Sequence, residues 1–400
     1  MIRFVKHLGE LDLKFKLSEI SSLVSEKIDI EGNVTIHNYI STDNMLTEKK
    51  GVTIAEKLPS VKKVSTFQKG DILISNIRPY FKKIWFAEFE GGCSADVLVF
   101  RPNEKVSAEF LYCLLSSDDF FDYMTVTAKG TKMPRGDKEA IKEYEVEVPS
   151  MEEQKIIAGF VFTINRKIIV ASKINDNLDK LVSEIISQTL SDEVEKIPLF
   201  DYVDGLNSHA FYKDGYDEVN DGKQYFVFDL GNIDINGRFI LTNKDKFFNQ
   251  ERLTSTLSKF ILEYHDLVMI MTDRTQNMAI LGKTTFITKN DYFLLNQRIY
   301  RLRVKNKIFL PFIWAYLNSN ETHDYFKSVS LGTSQKYINV GQISNLEVPN
   351  ISIEKATEIY QTLYPIMKKI ESIQNEALNL EEIKTELLPR LLTGQIELSR

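Results

Sequence analysis

Two long stretches of the chain carry apolar residues at alternating steps of three and four positions. One stretch begins after Pro149 and the other after Pro349. The apolar positions of the second stretch are Ile359, Leu363, Ile366, Ile370, Ile373, Ala377 and Leu380. Those of the first are Ile157, Val161, Ile164, Ile168, Ala171, Ile174, Leu178, Leu181 and Ile185, with less regular spacing around Asn175. Sustained heptad spacing is typical of helices that pair along a seam.

The pattern predicts two helices of about 40 residues, far longer than the roughly 11-residue average of globular proteins. Each helix could instead pack only on its own globular domain, but the length favours pairing between the two helices. The pairing would be antiparallel, because the second globular segment must lead the chain back from the far end of the first helix. The residues predicted to pair are Ile164, Ile168, Leu178 and Ile185 in the first helix and Leu363, Ile366, Ile370 and Ile373 in the second.

The segment between the two helices repeats the segment that precedes the first. Residues 110–117 match residues 312–319, and Gly130-Thr131 matches Gly332-Thr333, all at one offset of 202. Each copy ends in a Val-Pro pair just before its helix. Conserved order, spacing and residue class between two parts of one chain indicate a tandem duplication.

The predicted fold class is mixed α/β. Residues 97–100 and 226–228 are expected to form buried strands, and residues 109–116 a short helix. Two tandem-duplicated globular domains would thus be separated by two long antiparallel coiled-coil helices. The predicted boundaries are 1–150 for the first globular domain, 151–192 for the central spacer helix, 193–350 for the second globular domain and 351–400 for the C-terminal spacer helix and tail.

Composition narrows the class of protein without identifying a function. The chain has 400 residues, of which 43% are hydrophobic and 26% charged, and this excludes a disordered or low-complexity protein. Two cysteines, Cys93 and Cys113, are too few for a disulfide framework or a zinc site. No apolar run reaches the roughly 18 residues of a membrane span, and the first residues lack a secretory apolar core. We expect a cytoplasmic protein with no membrane association.

The distribution of charge is more informative than the net charge of −6. Nine basic residues between Lys49 and Lys83 are opposed only by Glu56 and Asp71, whereas acidic residues concentrate elsewhere in the chain. Because phosphate attraction is screened within about a Debye length, a local basic surface can bind nucleic acid on an acidic protein.

Donor-rich segments occur at equivalent places in the two copies. They combine arginine and amide groups, which can pair with base edges, with lysines, which chiefly contact phosphate. Glycines in two loops allow close approach of the backbone. The candidate DNA-binding residues of the first copy are Ser75, Asn76, Arg78, Tyr80, Lys82, Lys83, Thr131, Lys132 and Arg135. Those of the second are Thr272, Arg274, Gln276, Thr333, Gln335, Lys336 and Tyr337. Matched loops with different tips predict two unlike DNA half-sites.

Catalytic and metal-binding patterns are missing from the sequence. Residues 281–285 resemble the end of a phosphate-binding loop, but Asn277 stands where its first glycine is required. The five histidines have no spacing suited to a metal or to nucleophilic catalysis. We therefore expect a non-catalytic chain with no metal and no cofactor of its own.

The order of motifs resembles the specificity subunit of type I restriction–modification systems. The similar segments are YISTDNM at 39–45, FQKGDIL at 67–73, MEEQKIIA at 151–158 and LLPRLLTG at 387–394. This resemblance covers essentially the whole chain and implies that the globular domains are target-recognition domains. The two spacer helices would then set a fixed gap between half-sites. A helix of about 40 residues spans roughly 60 Å, which limits the distance between the domain centres to about 17 base pairs of double-stranded DNA.

The resemblance also implies partners. The chain would place two modification subunits on an asymmetric bipartite DNA site, and those partners would use S-adenosylmethionine to methylate the N6 of adenine after flipping it out of the duplex. Restriction subunits would add ATP-dependent DNA translocation and cleavage.

Two other classes of function remain open from the sequence. One is a duplicated coiled-coil scaffold that binds protein and does not recognise DNA, which the net negative charge favours. The other is a fused enzyme, which the missing catalytic motifs disfavour.

Overall fold

Residue contacts divide the chain into two units that share the long helices. The computed structural model describes residues 2–4, 14–190, 195–217, 223–242, 245–273 and 277–398. The first unit comprises Met1–Lys167 and Leu380–Arg400, and the second comprises Ile168–Asn379.

Most elements of the chain follow the same order in its two halves, although β1 and β4 occur only in the first and β17, β21 and β23 only in the second. In the first half they are β1 (Ile2–Phe4), β2 (Lys14–Lys16), α1 (Leu17–Ile20), β3 (Ser21–Leu23), β4 (Lys27–Asp29), β5 (Tyr39–Ile40), β6 (Lys63–Phe67), β7 (Ile72–Ser75), a 3₁₀ turn (Pro79–Phe81), β8 (Ile84–Phe86), β9 (Gly91–Cys93), β10 (Val97–Pro102), α2 (Ala108–Leu115), α3 (Asp118–Val126), α4 (Lys138–Lys142), β11 (Glu145–Glu147) and α5 (Met151–Thr189). In the second half they are β12 (Lys196–Pro198), α6 (Leu199–Tyr202), β13 (Val203–Asn207), β14 (Gln224–Phe228), β15 (Phe247–Asn249), β16 (Leu267–Ile270), β17 (Thr272–Asp273), β18 (Thr284–Phe286), β19 (Phe293–Leu295), β20 (Ile299–Val304), α7 (Leu310–Leu317), α8 (Asn320–Val329), β21 (Lys336–Tyr337), α9 (Val340–Ser344), β22 (Glu347–Pro349), α10 (Ile353–Leu392) and β23 (Ile396–Leu398).

Each unit contains the same four-stranded antiparallel sheet. Its strand order is β3-β10-β7-β8 in the first unit and β13-β20-β16-β18 in the second. A further sheet accompanies each, β4-β6-β9-β5 and β15-β14-β19, and each of these holds one parallel pair. The mixed α/β class and the tandem duplication are therefore confirmed.

An ion pair between a buried aspartate and a half-buried arginine recurs at the same place in both four-stranded sheets. Arg101 donates to both carboxylate oxygens of Asp71, at 2.9 and 2.8 Å, across neighbouring strands. Arg303 donates in the same way to Asp266, at 2.6 and 2.7 Å. Both aspartates are at most 2% exposed, and bidentate pairing supplies the hydrogen bonds that a buried carboxylate needs. The pair joins the start of β7 or β16 to β10 or β20.

Local hydrogen bonds explain why α5 begins where it does. Ser150 and Glu153 form a capping box, in which the Ser150 backbone N–H donates to the Glu153 carboxylate at 2.9 Å. Gln154 is 1% exposed and hydrogen-bonds the backbone of Lys105, Ser107 and Pro149. The amide thereby attaches the start of the long helix to the first globular domain.

The helices α5 and α10 contain 39 and 40 residues. Residues near the start of α5, such as Val161, share a core with Leu388 and Leu391 near the end of α10. Residues near the end of α5, such as Ile186, share another core with Ile359 near the start of α10. The predicted antiparallel pairing is therefore confirmed. Within the described residues, no helix combines the length and apolar character needed to cross a membrane.

The seam on α5 differs from the purely apolar pattern after Ala171. Ile174 and Leu181 were expected in the seam, yet each is 42% exposed, whereas Asn175 and Val182 are 2% and 4% exposed. Asn175 reaches the carbonyl of Ile370 on α10 with its amide nitrogen at 3.4 Å. With Asn175 counted as a seam residue, the steps of four and three continue from Ala171 through Leu178 and Val182. The prediction from apolar residues alone was displaced by one position at Ile174 and Leu181, because the seam residue Asn175 is polar.

The eight residues predicted to pair lie on or beside the seam. Four are buried and four are half-buried. The buried ones are Ile164, Leu363, Ile370 and Ile373, and the half-buried ones are Ile168, Leu178, Ile185 and Ile366.

Polar side chains also join the second globular domain to both helices within the second unit. Arg238, 8% exposed, pairs with Asp179 and with Asp176 on α5, at 2.8 Å for Asp176. Gln374 on α10 donates to the backbone carbonyl of Phe239 at 3.1 Å. One turn of the globular domain is thus tied to both helices.

Truncating a seam residue should destabilise the protein more than truncating its exposed neighbour. Ile186→Ala removes a side chain that is 3% exposed and should lower the free energy of unfolding by about 2–5 kcal/mol. The matched control Ile174→Ala, on the exposed face of the same helix, should stay within about 0.5 kcal/mol of the parent. Urea denaturation followed by circular dichroism measures both. Equal losses would place Ile174 in the seam after all.

Candidate nucleic-acid interface

In the first half, the segment after strand β7 runs beside the glycine–threonine loop. Across the base of that loop, Arg135 and Lys129 form two backbone hydrogen bonds of 2.9 and 2.8 Å. The backbone N–H of Arg78 donates to the carbonyl of Pro134 inside the loop, at 2.8 Å. The two donor-rich segments predicted from the sequence therefore lie side by side.

Backbone conformation shapes this surface at two positions. Arg78 has φ +52° and ψ +65°, and the following proline opens the 3₁₀ turn. A residue before proline avoids the right-handed helical region, and here the left-handed one turns the chain out of the sheet. Gly130 has φ +94°, which a side chain rarely adopts, so glycine suits the turn at the loop tip.

The predicted residues of the first half fall into two groups by exposure. Thr131, Lys132 and Arg135 are exposed on the loop, and Tyr80 is 44% exposed on the 3₁₀ turn. Arg78 is half-buried, with its Nε buried and without a hydrogen-bond partner. These side chains can offer hydroxyl, ammonium and guanidinium donors to a ligand.

The side chains of Ser75 and Asn76 are buried. They are 2% and 6% exposed, and the Ser75 hydroxyl donates to the carbonyl of Ile77 at 3.1 Å. The backbone of Asn76 bridges two segments, donating to the carbonyl of Asp96 at 2.8 Å and accepting from Gly136 at 3.1 Å. These two residues build the surface without presenting their side chains to solvent.

The ammonium groups of Lys82 and Lys83 also contact other groups of the protein. Lys82 and Lys49 contact the same oxygen of Asp118, at 2.6 and 2.7 Å. Burial alone would raise the pKa of the Asp118 carboxyl, but the two ammonium groups hold that pKa below its ordinary value. Lys83 donates to the carbonyl of Thr42 at 2.6 Å, and burial lowers the pKa of its ammonium group. Part of the basic cluster therefore stabilises the fold.

The second half repeats this arrangement with a short pair of strands. Thr272 in β17 pairs with Tyr337 in β21, and Tyr337 forms two backbone hydrogen bonds with Leu331, at 3.0 and 2.8 Å. Gly332 has φ +87°, and a Cβ on it would lie 2.2 Å from the carbonyl oxygen of Gln335. Glycine is therefore required at this loop tip.

Backbone bonding matches between the halves. Met271 in the second half takes the place of Asn76, donating to the carbonyl of Arg298 at 3.0 Å and accepting from Ile338 at 2.9 Å. Asp96 and Gly136 stand 202 residues before those two partners. The loops thus occupy equivalent positions on one duplicated framework.

The remaining predicted residues of the second half differ in exposure. Thr333 is exposed, Tyr337 is 41% exposed, and Gln335 and Lys336 are half-buried. Thr272 has a buried hydroxyl without a hydrogen-bond partner. The predictions for Arg274 and Gln276 lie outside the described residues.

Arg298 is a candidate that the motif search missed. It is exposed, has φ +68°, directly precedes β20, and has no acidic partner within ion-pair distance in the described part of the chain. The offset of 202 did not indicate it, because the equivalent residue of the first half is Asp96, which was not among the candidate DNA-binding residues.

Two equivalent domains, each with a donor-bearing loop and each followed by a long helix, define a duplicated recognition protein. The family model of the type I restriction modification DNA specificity domain matches residues 14–180 and again residues 218–382. The chain belongs to this family, and the resemblance inferred from its sequence is confirmed.

Individual relatives agree with that assignment over most of their length. The chain is 22% identical to the type I restriction enzyme HindI specificity subunit of Haemophilus influenzae, across 96% of this chain and 99% of the relative. It is 26% identical to the MjaVIII specificity subunit of Methanocaldococcus jannaschii, across 71% and 69%. The crystal structure of a type I S subunit from M. genitalium covers 98% of this chain and 99% of its own, with a TM-score of 0.55 at 14% identity. At that identity the likeness establishes a shared fold.

The glycines of the two loops should differ in their tolerance of alanine. Gly332→Ala adds a clash with the Gln335 carbonyl to the left-handed backbone strain of about 1–2 kcal/mol. Gly130→Ala brings the same strain, but its Cβ would meet no atom closer than 3.6 Å. Gly332→Ala should therefore lower the free energy of unfolding more, as measured by urea denaturation. A larger loss for Gly130→Ala would contradict this loop geometry.

Proposed function

We propose that this chain is the specificity subunit of a type I restriction–modification complex and recognises an asymmetric bipartite DNA site. The observation that carries the proposal is the duplicated framework with unlike loop tips. Lys132 and Arg135 on the first loop correspond to Ser334 and Tyr337 on the second. One backbone arrangement with different donors suits recognition of two half-sites of different sequence.

The long helices supply a surface for partner subunits. Val170, Ile174 and Leu181 are 42–46% exposed on α5, beside the buried seam. Exposed apolar residues along one helix face are suited to pack against another protein. We assign this surface to two modification subunits, which would hold S-adenosylmethionine and methylate the N6 of adenine in each half-site. Restriction subunits would join the same complex, and the chain itself would remain non-catalytic.

A protein-binding scaffold without DNA recognition is not favoured. Its support was the net charge of −6, but the family match concerns a DNA specificity domain. Exposed Lys132 and Arg135 on the first loop, and exposed Arg298 directly before β20, provide local cations where the DNA would lie.

Mapping N6-methyladenine across a genome tests the proposal. Cells that express this chain with its methyltransferase partner should carry a bipartite methylated motif with a fixed gap. Deletion of this chain should remove the motif. A map unchanged by the deletion, with an active methyltransferase, would overturn the proposal and favour the scaffold.

Lys132→Ala should weaken DNA binding by the assembled complex. Each phosphate contact contributes about 0.9 to the slope of log affinity against log salt, so losing this contact should reduce the slope by about one. Lys69→Ala is the matched control, because Lys69 is also exposed but lies before β7, at the opposite end of the strand from the loop. Fluorescence anisotropy at several salt concentrations measures both variants. Equal slopes for the two would argue against phosphate contact at Lys132.

A further inference from the structure

One exposed ion pair joins Arg135, at the base of the first glycine–threonine loop, to Asp96, directly before β10. The Nε of Arg135 donates to an Asp96 carboxylate oxygen at 3.2 Å. The side chains are 50% and 36% exposed, so the pair lies at the surface. An exposed pair of this kind contributes little to stability. Since stability does not explain the pair, we consider its effect on the guanidinium of Arg135, which lies at the loop.

The backbone fixes both partners before the side chains meet. Arg135 is held by its two backbone hydrogen bonds to Lys129 and by its bridge to Ile77. Asp96 is held through its carbonyl, which accepts from Asn76, and its amide, which donates to the Ser94 hydroxyl at 3.3 Å. The carboxylate then restrains the guanidinium by its Nε alone.

The remaining donors of Arg135 form a fork. In the described part of the chain, neither terminal nitrogen of this guanidinium has a hydrogen-bond partner. Two parallel N–H groups match the O6 and N7 acceptors of guanine in the major groove, which is the commonest specific contact between arginine and DNA. A guanidinium oriented by a carboxylate loses less conformational freedom when it binds a base.

In the second half, residues of a different type occupy the positions equivalent to Asp96 and Arg135. Arg298 occupies the place of Asp96, and Tyr337 occupies the place of Arg135, each 202 residues later. At this pair of positions each half therefore carries an exposed guanidinium, but on different segments of the same framework. A guanidinium moved to the other segment would meet a different position of its half-site.

We infer that Arg135 reads a guanine in one half-site, that Asp96 is the positioning residue for its guanidinium, and that Arg298 reads a base in the other half-site. The inference rests on the proposed function and deepens it. It assigns one specificity-determining arginine to each recognition domain.

Methylation maps of single variants in the full complex test the assignment. Asp96→Asn and Arg135→Gln should both relax the same single G·C position of one half-site, with a roughly ten- to hundredfold loss of discrimination. Arg298→Gln should alter only the other half-site. Asp96→Glu, which retains the carboxylate, should restore part of the discrimination that Asp96→Asn loses.

Competition binding gives the same readout if a variant complex no longer methylates. Purified complexes are challenged with duplexes that differ from the parent motif at one base pair. Relaxation of one G·C position in Asp96→Asn and Arg135→Gln supports the inference. Uniform weakening at every position, or effects of Asp96 and Arg135 variants on different half-sites, would overturn it.

The control with the unaltered chain separates this inference from the proposed function. If the unaltered complex yields a bipartite motif but the variants leave its base preferences intact, the inference fails and the function stands. If the unaltered complex yields no motif, the proposed function fails first. Unfolding midpoints close to that of the parent are expected for Asp96→Asn, because the pair is exposed.

Discussion

The packing of α5 against α10 is the constraint on which the rest of the structure depends. One core cluster in each globular domain includes residues of both helices, whereas the other clusters consist of buried residues of the globular domains alone. The core of the first includes Val161 and Leu391, and the core of the second includes Ile186 and Leu363. A change in the helix seam must therefore alter the packing beneath a recognition domain. Directional bonds then attach the globular domains to the helices: Gln154 joins α5 to the first domain, and Arg238 and Gln374 join the second domain to α5 and α10.

Duplication has preserved the interior and changed the surface. The Asp71–Arg101 pair and its equivalent keep the same bidentate geometry, because removing one partner would leave a buried charge uncompensated. The loop tips carry no such penalty, so Arg135 and Tyr337 can differ without disturbing the sheet beneath them. A fold of this kind allows recognition to diverge while the scaffold stays constant.

The sequence was sufficient for the helices and the duplication, because period, order and offset are properties of the chain itself. It was not sufficient where tertiary contacts decide. The polar Asn175 lies in the helix seam, and a search for apolar positions could not predict that. Lys82 forms an ion pair with Asp118, which is distant in sequence.

The short strands β1 and β23 have a topological consequence. Ile2 pairs with Leu398 and Phe4 with Ile396, so the two ends of this sequence are neighbours in one antiparallel ladder. A few residues could join these ends, and new termini could then be opened in an exposed loop elsewhere. The resulting circular permutant would keep the same two domains and two helices, but its sequence would begin at a different residue.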